Sequence, residues 1–63
     1  MDWLKNFRYK QNLTISQMAI ELGVSKSLYE KVEYGDRNPS ANFIKKFKDR
    51  FPDEDINIFF NSK

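Results

Sequence analysis

Apolar side chains recur at helical spacing along most of the chain, and no window alternates apolar and polar residues for long enough to indicate a strand. A first helix is predicted over residues 3–11, where Leu4, Phe7 and Arg8 share one face. Asp2 is its expected N-cap, since a short polar side chain accepts hydrogen bonds from the first amides of a helix. The pattern predicts an all-α chain.

A second helix, predicted over residues 15–22, has the clearest boundaries. Thr14 and Gln17 have the spacing of a capping box, in which each side chain bonds the backbone amide of the other residue. Gly23 is expected to end the helix, because glycine adopts the left-handed conformation at little cost. The inward-facing stripe consists of Ile15, Met18, Ala19 and Leu22.

A third helix follows almost at once. It is predicted over residues 26–34, with Ser25 as its N-cap and Gly35 after its last turn. Its inward positions are Tyr29 and Val32. The next residues are rich in turn formers and separate this helix from the rest of the chain.

Two more helices are predicted towards the end of the chain. The fourth covers residues 41–50 and has Ser40 as its N-cap, with a proline on either side. The fifth is short, covers residues 54–60 and has Asp53 as its N-cap. The apolar edge of the fourth helix consists of Phe43, Ile44, Phe47 and Phe51.

The turn between the second and third helices is short and contains glycine, so these helices are expected to cross steeply rather than run antiparallel. Ala19 lies one turn before Gly23 and leaves room for the two backbones to approach closely. The larger side chains that fill the space between the helices are Met18, Leu22, Val24, Tyr29 and Val32. Residues 15–34 are therefore predicted to form a helix-turn-helix.

Composition narrows the class of protein. Sixty-three residues allow one domain, covering residues 1–63. The chain has no cysteine and no histidine, which excludes disulfides, thiolate zinc sites and the commonest general base. Apolar runs are too short to cross a membrane, and the N-terminus lacks a signal-peptide stretch, so a cytoplasmic location is expected. No enzyme activity, cofactor, metal or small-molecule ligand is expected.

Charge is unevenly distributed along the chain. Residues 1–48 carry nine Lys or Arg and five Asp or Glu, whereas residues 49–63 carry two and four. The first segment is therefore net positive by four charges, although the whole chain has a formal charge of +2. Such a field favours an anionic partner, and nucleic acid fits it without being required by it.

A wider set of residues resembles the lambda-repressor-like, Cro-type helix-turn-helix regulators, also called the XRE family. The matching residues are Leu13-Thr14-x-x-x-Met18-Ala19-x-x-Leu22-Gly23-Val24-Ser25-x-Ser27 and Glu33-x-Gly35-x-Arg37-x-Pro39-Ser40. The resemblance implies a compact five-helix domain that binds double-stranded DNA, with its third helix in the major groove. It also implies a homodimer, at least on DNA, at a palindromic operator.

The resemblance assigns base reading to the start and outward face of the third helix. Lysine can donate to guanine, serine can pair with several base edges, and leucine can contact the methyl group of thymine. An acidic side chain there can accept from cytosine or repel phosphate. The implied base-reading residues are Lys26, Ser27, Leu28, Glu30 and Lys31.

Other positions are implied to hold the DNA backbone or to orient the recognition helix. The phosphate candidates are Lys10, Thr14, Tyr34, Arg37 and Asn38. Arg8 and Glu33 match a pair that forms a salt bridge in relatives, between the first helix and the end of the third. The chain departs from the family at three positions, with isoleucine for glutamine at Ile15, tyrosine for isoleucine at Tyr29 and tyrosine for asparagine at Tyr34.

The expected function is that of a small bacterial or phage transcriptional regulator, and a repressor in particular. One alternative remains open, in which the same scaffold is a protein-interaction module of antitoxin or antirepressor type. Trp3, Phe59 and Phe60 allow two interpretations. They either pack the first helix on the fifth or form an exposed apolar surface for a second subunit.

Overall fold

A computed structural model describes residues 2–55 and residue 59, and the described part of the chain contains helices and turns but no strand. The all-α prediction is therefore confirmed. Four helices follow one another in the order α1 (Asp2–Lys10), α2 (Ile15–Leu22), α3 (Lys26–Tyr34) and α4 (Ala41–Arg50).

The five-helix count is not confirmed. Residues 53–55, where the fifth helix was predicted to begin, form a turn and a short irregular segment instead of the start of a helix. Lys48 Nζ donates to the carbonyl oxygens of Pro52 and Glu54, at 2.7 and 3.2 Å, and so holds this segment against the end of α4. The rest of the predicted fifth helix lies outside the described residues, apart from Phe59.

Hydroxyl side chains cap three of the helices as the sequence predicts. At α2 the capping box is complete, since Gln17 N–H donates to Thr14 Oγ1 at 3.1 Å and Thr14 N–H donates to Gln17 Oε1 at 2.9 Å. Ser25 and Ser40 each accept a hydrogen bond from the amide three residues later, at 3.1 Å. Each cap stabilises its helix by about 1 kcal/mol, so the starts of α2, α3 and α4 are set by local sequence.

The helix-turn-helix prediction is confirmed in its local geometry. Gly23 ends α2 with a φ of 72°, and its N–H donates to the carbonyl oxygens of Ala19 and Ile20. The N–H of Val24 also donates to the carbonyl oxygen of Ala19, at 3.0 Å. Ala19 itself is 2% exposed, as expected for a small residue at a helix crossing.

Gly23 is required for its backbone conformation and not for space. A Cβ atom placed on Gly23 would meet nothing within 4 Å. We expect Gly23→Ala to lower the free energy of unfolding by about 1–2 kcal/mol, the cost of a left-handed residue with a side chain. Gly23→Asn should lower the free energy of unfolding by less, because asparagine tolerates the left-handed conformation better. Urea denaturation measures both values, and a loss above about 3 kcal/mol for alanine would instead indicate a steric clash.

The core lies between all four helices and is strongly aromatic. Phe47 is fully buried, and its ring centroid lies 5.1 Å from that of Phe59, 5.3 Å from that of Phe7 and 5.7 Å from that of Trp3. The largest side chains with essentially no exposure are Tyr29, Phe43, Phe47, Leu4, Met18 and Val32.

Trp3 and Phe59 pack against the aromatic core, although the fifth helix of the packing interpretation is not confirmed. The half-buried Trp3 ring stacks on Phe7 at 5.3 Å and meets Phe59 edge to face at 5.8 Å. Phe59 is 7% exposed, so it offers almost no surface to a second subunit. Phe60 lies outside the described residues.

Candidate nucleic-acid interface

The five candidate base-reading residues fall into two groups on α3. Lys26, Ser27 and Lys31 are exposed, whereas Leu28 and Glu30 are half-buried. Leu28 packs against the core cluster, which leaves only part of its side chain for an outside partner. The opposite face of α3 is buried through Tyr29, Val32 and Glu33. The exposed edge of this helix therefore presents two lysines and a serine from a fixed support.

The start of α3 also offers backbone donors. Ser25 Oγ accepts from the amide of Leu28, which leaves the amides of Lys26 and Ser27 ahead of the first hydrogen bond inside the helix. Such amides, together with the helix dipole, give a helix start a partial positive charge. α2 and α4 begin with the same type of cap, so three helix starts share this property.

All five candidate phosphate-binding residues are exposed. Tyr34, at the end of α3, has 61% of its surface exposed. Arg37 and Asn38 lie in the loop after α3, and the Arg37 amide donates to the carbonyl oxygen of Lys31 at 3.2 Å. The remaining two, Lys10 and Thr14, lie on either side of the α1–α2 loop.

Arg8 and Glu33 form a buried, two-pronged ion pair between α1 and α3. Arg8 Nε donates to Glu33 Oε2 and Arg8 Nη2 donates to Glu33 Oε1, both at 2.9 Å. Only 8% of the arginine side chain and 2% of the glutamate side chain are exposed. Burial by itself raises the pKa of Glu33, but the hydrogen bonds from Arg8 and Tyr29 outweigh it, and the net pKa is lowered.

Two further groups join this ion pair, and the sequence analysis assigned neither of them to it. The Tyr29 hydroxyl donates to Glu33 Oε2 at 2.6 Å, and Arg8 Nη1 donates to the carbonyl oxygen of Leu13 at 3.0 Å. Burial and the bond to Glu33 raise the pKa of Tyr29, so it stays protonated as a donor. The spacing of four residues between Tyr29 and Glu33 on one helix is the signal that could have revealed their contact.

Two side chains of α4 contact the helix-turn-helix. Lys46 Nζ donates to the carbonyl oxygen of Gly23 at 3.0 Å, and Arg50 pairs with Glu21 near the end of α2. Neither Lys46 nor Arg50 was assigned a role from the sequence. These contacts join residues more than 20 positions apart, so no local spacing could have revealed them.

Over the described residues, no helix combines the length and apolar character needed to cross a bilayer. No group of three or more His, Cys, Asp or Glu side chains in that part of the chain could hold a metal ion.

Comparison with known proteins agrees with this geometry. A helix-turn-helix family model matches residues 4–51. The HTH-type transcriptional regulator SlrR of Bacillus subtilis (strain 168) is 43% identical over 44 residues, which is 68% of this chain and 29% of that protein. The chain thus spans less than a third of the length of this relative. No solved structure matches the chain significantly. Because the family match covers well over half of its residues, the chain belongs to the XRE-type helix-turn-helix family.

Proposed function

We propose that this chain binds double-stranded DNA sequence-specifically as a transcriptional regulator, with α3 lying in the major groove. The observation that carries this proposal is the pairing of an exposed Lys26, Ser27 and Lys31 edge with an opposite face locked into the core. A rigid helix that presents short polar and cationic side chains suits the donor and acceptor pattern of the major groove. Leu28 and Glu30 make secondary contacts in this proposal, because each is half-buried.

Binding to the DNA backbone would come from the helix starts and the exposed phosphate candidates. Thr14 lies at the start of α2, while Arg37 and Asn38 lie just before α4. Lys10, Lys26, Arg37 and the partly positive helix starts would together neutralise roughly four to six phosphates per subunit. The logarithm of the association constant should then fall with the logarithm of the salt concentration, with a slope of roughly −4 to −5 per subunit.

The proposed mechanism is repression by occlusion. Two subunits would place their α3 helices in successive major grooves, about 34 Å apart, on a palindromic operator. A bound dimer of this kind blocks access of the polymerase to the same stretch of DNA. The proposed location is the cytoplasm, where a DNA-binding regulator of this type acts.

Selection of binding sites from a random duplex pool tests this function directly. Repeated selection with the purified chain should enrich one motif, and footprinting should show two protected half-sites one helical turn apart. Titration of the enriched duplex at two salt concentrations should reproduce the steep slope. Recovery of no motif, together with binding that is absent or insensitive to salt, would reject the proposal.

Lys26 is the residue expected to read a base. Lys26→Ala should reduce the preference at one base pair per half-site by about 1–3 kcal/mol and leave the other positions unchanged. Binding to a set of single-base variants of the enriched duplex measures this effect. Lys45→Ala is a matched control, because it removes an equal charge from an exposed position on α4. An equal loss of affinity on every sequence would instead make Lys26 a phosphate contact.

The alternative, a protein-interaction module, loses its main structural support. It drew on an exposed apolar surface at Trp3, Phe59 and Phe60 and on a tolerated Leu28. Phe59 is buried, however, and Trp3 and Leu28 are half-buried against the core. Phe60 lies outside the described residues. The salt titration separates the two functions, since a protein-interaction module has no reason to bind duplex DNA with a steep salt dependence.

A further inference from the structure

We propose that Tyr29 is a positioning residue for DNA recognition. In this proposal, its hydroxyl group fixes the buried ion pair that holds the start of α2 and the recognition helix α3 in one arrangement. The inference rests on the proposed function, because α2 and α3 are the helices that would contact phosphates and bases. Tyr29 itself is fully buried and would touch no DNA.

Tyr29 is placed to restrain the carboxylate of Glu33. Its hydroxyl donates at 2.6 Å to Glu33 Oε2, the same oxygen atom that accepts from Arg8 Nε. On its other side, the Tyr29 ring packs on Phe43 of α4, with 6.3 Å between centroids and 23° between ring planes. The hydroxyl position is therefore fixed by the core, and a hydrogen bond to an ionised acceptor is among the stronger kinds.

Arg8 carries this restraint to the start of α2. Its Nη1 donates to the carbonyl oxygen of Leu13 at 3.0 Å, and its own carbonyl oxygen accepts from Leu13 N–H at 3.3 Å. Asn12 turns the chain just before, with a left-handed φ of 58°. The next residue after Leu13 is Thr14, the N-cap of α2. One arginine side chain thus links Leu13, one residue before the N-cap of α2, to Glu33 near the end of α3.

The hydroxyl group is the part of Tyr29 that the ion pair uses. A phenylalanine ring would fill the same space but would remove the hydroxyl donor to Glu33 Oε2, the oxygen atom that also accepts from Arg8 Nε. The carboxylate would then have one restraint fewer on its orientation, and so would the arginine that is paired with it. The placement of Thr14 relative to Lys26 would become looser, which affects a duplex that needs both contacts at once.

Tyr29→Phe, measured by fluorescence anisotropy, tests this inference. The probes are the duplex enriched by selection and a duplex with the same bases in shuffled order. We expect affinity for the enriched duplex to fall about tenfold while affinity for the shuffled duplex stays unchanged. The salt slope on the enriched duplex should stay as in the wild type, because Tyr29→Phe removes no cationic side chain from the DNA.

Controls separate positioning from general loss of stability. Ile44→Val weakens the core on α4 without touching the ion pair, so it should leave the ratio of the two affinities and the salt slope as in the wild type. Arg8→Lys keeps a positive charge beside Glu33 but cannot make the two parallel hydrogen bonds of the guanidinium group. It should therefore lower the ratio of the affinities for the enriched and the shuffled duplex, as Tyr29→Phe does. Circular dichroism identifies a temperature at which every variant has the helicity of the wild type, and the affinities are measured at that temperature.

An unchanged ratio for folded Tyr29→Phe, or an equal loss for Ile44→Val, would overturn the inference. If the wild type itself shows no preference for the enriched duplex, the proposed function fails first. The two failures are therefore distinguishable.

Discussion

Arg8→Ala should remove a large part of the free energy of unfolding of this chain. The Glu33 side chain is 2% exposed. Removal of the arginine leaves its buried carboxylate without the positive charge that compensates it. Breaking a buried pair from one side costs about 3–5 kcal/mol. A chain of 63 residues has a total free energy of unfolding of about 3–9 kcal/mol. Urea denaturation followed by circular dichroism measures the difference, and a loss below about 1 kcal/mol would contradict the expectation.

The double variant Arg8→Ala/Glu33→Gln is the matched control. Glutamine keeps an oxygen atom for the Tyr29 hydroxyl but carries no charge, so part of the lost stability should return. Acid provides a second check on the same pair. Because the folded state lowers the pKa of Glu33, its contribution is complete above the ordinary glutamate pKa of about 4.3 and is lost as the pH falls below it. Glu33→Gln should remove this part of the pH dependence.

Phe47→Ala is expected to lower the free energy of unfolding about as much as Arg8→Ala does, for a different reason. Phe47 is fully buried, and its ring meets those of Phe7, Phe59 and Trp3. Truncation removes apolar contacts and leaves a cavity where α1, α4 and Phe59 converge, at a cost of about 3–5 kcal/mol. Thermal and urea denaturation measure the loss.

Phe51→Ala is the control for Phe47→Ala, because Phe51 belongs to the same aromatic cluster but is only half-buried. It should cost clearly less, since its site is open to water and leaves a smaller cavity. Equal losses for the two variants would mean that burial in this cluster does not decide its stability.

The helices were predictable because their ends are encoded locally. Thr14, Ser25 and Ser40 each lie at a helix start, and Gly23 and Gly35 each end a helix with a positive φ. The predicted ranges of α2, α3 and α4 therefore agree with the structure. At α1 the prediction was shifted by one residue, since Asp2 lies inside the helix and Lys10 ends it.

The interactions that orient the helices were not predictable from spacing alone. The ion pair of Arg8 and Glu33 came from the family resemblance, whereas the third partner, Tyr29, had been read only as a core residue. Lys46 was assigned no role from the sequence, yet its Nζ donates to the carbonyl oxygen of Gly23. Such contacts depend on how whole helices pack, and the sequence pattern of one helix carries no information about its neighbour.

The ion pair of Arg8 and Glu33 affects how the folded domain opens locally. Arg8 and Glu33 are 25 residues apart, and the segment between them contains all of α2 and the turn after it. Separate detachment of α1 or of the end of α3 is unfavourable, because either movement breaks both charge-assisted hydrogen bonds between Arg8 and Glu33. The backbone amides of these two helices should therefore become accessible to solvent hydrogen in one shared opening event, and not by independent fraying.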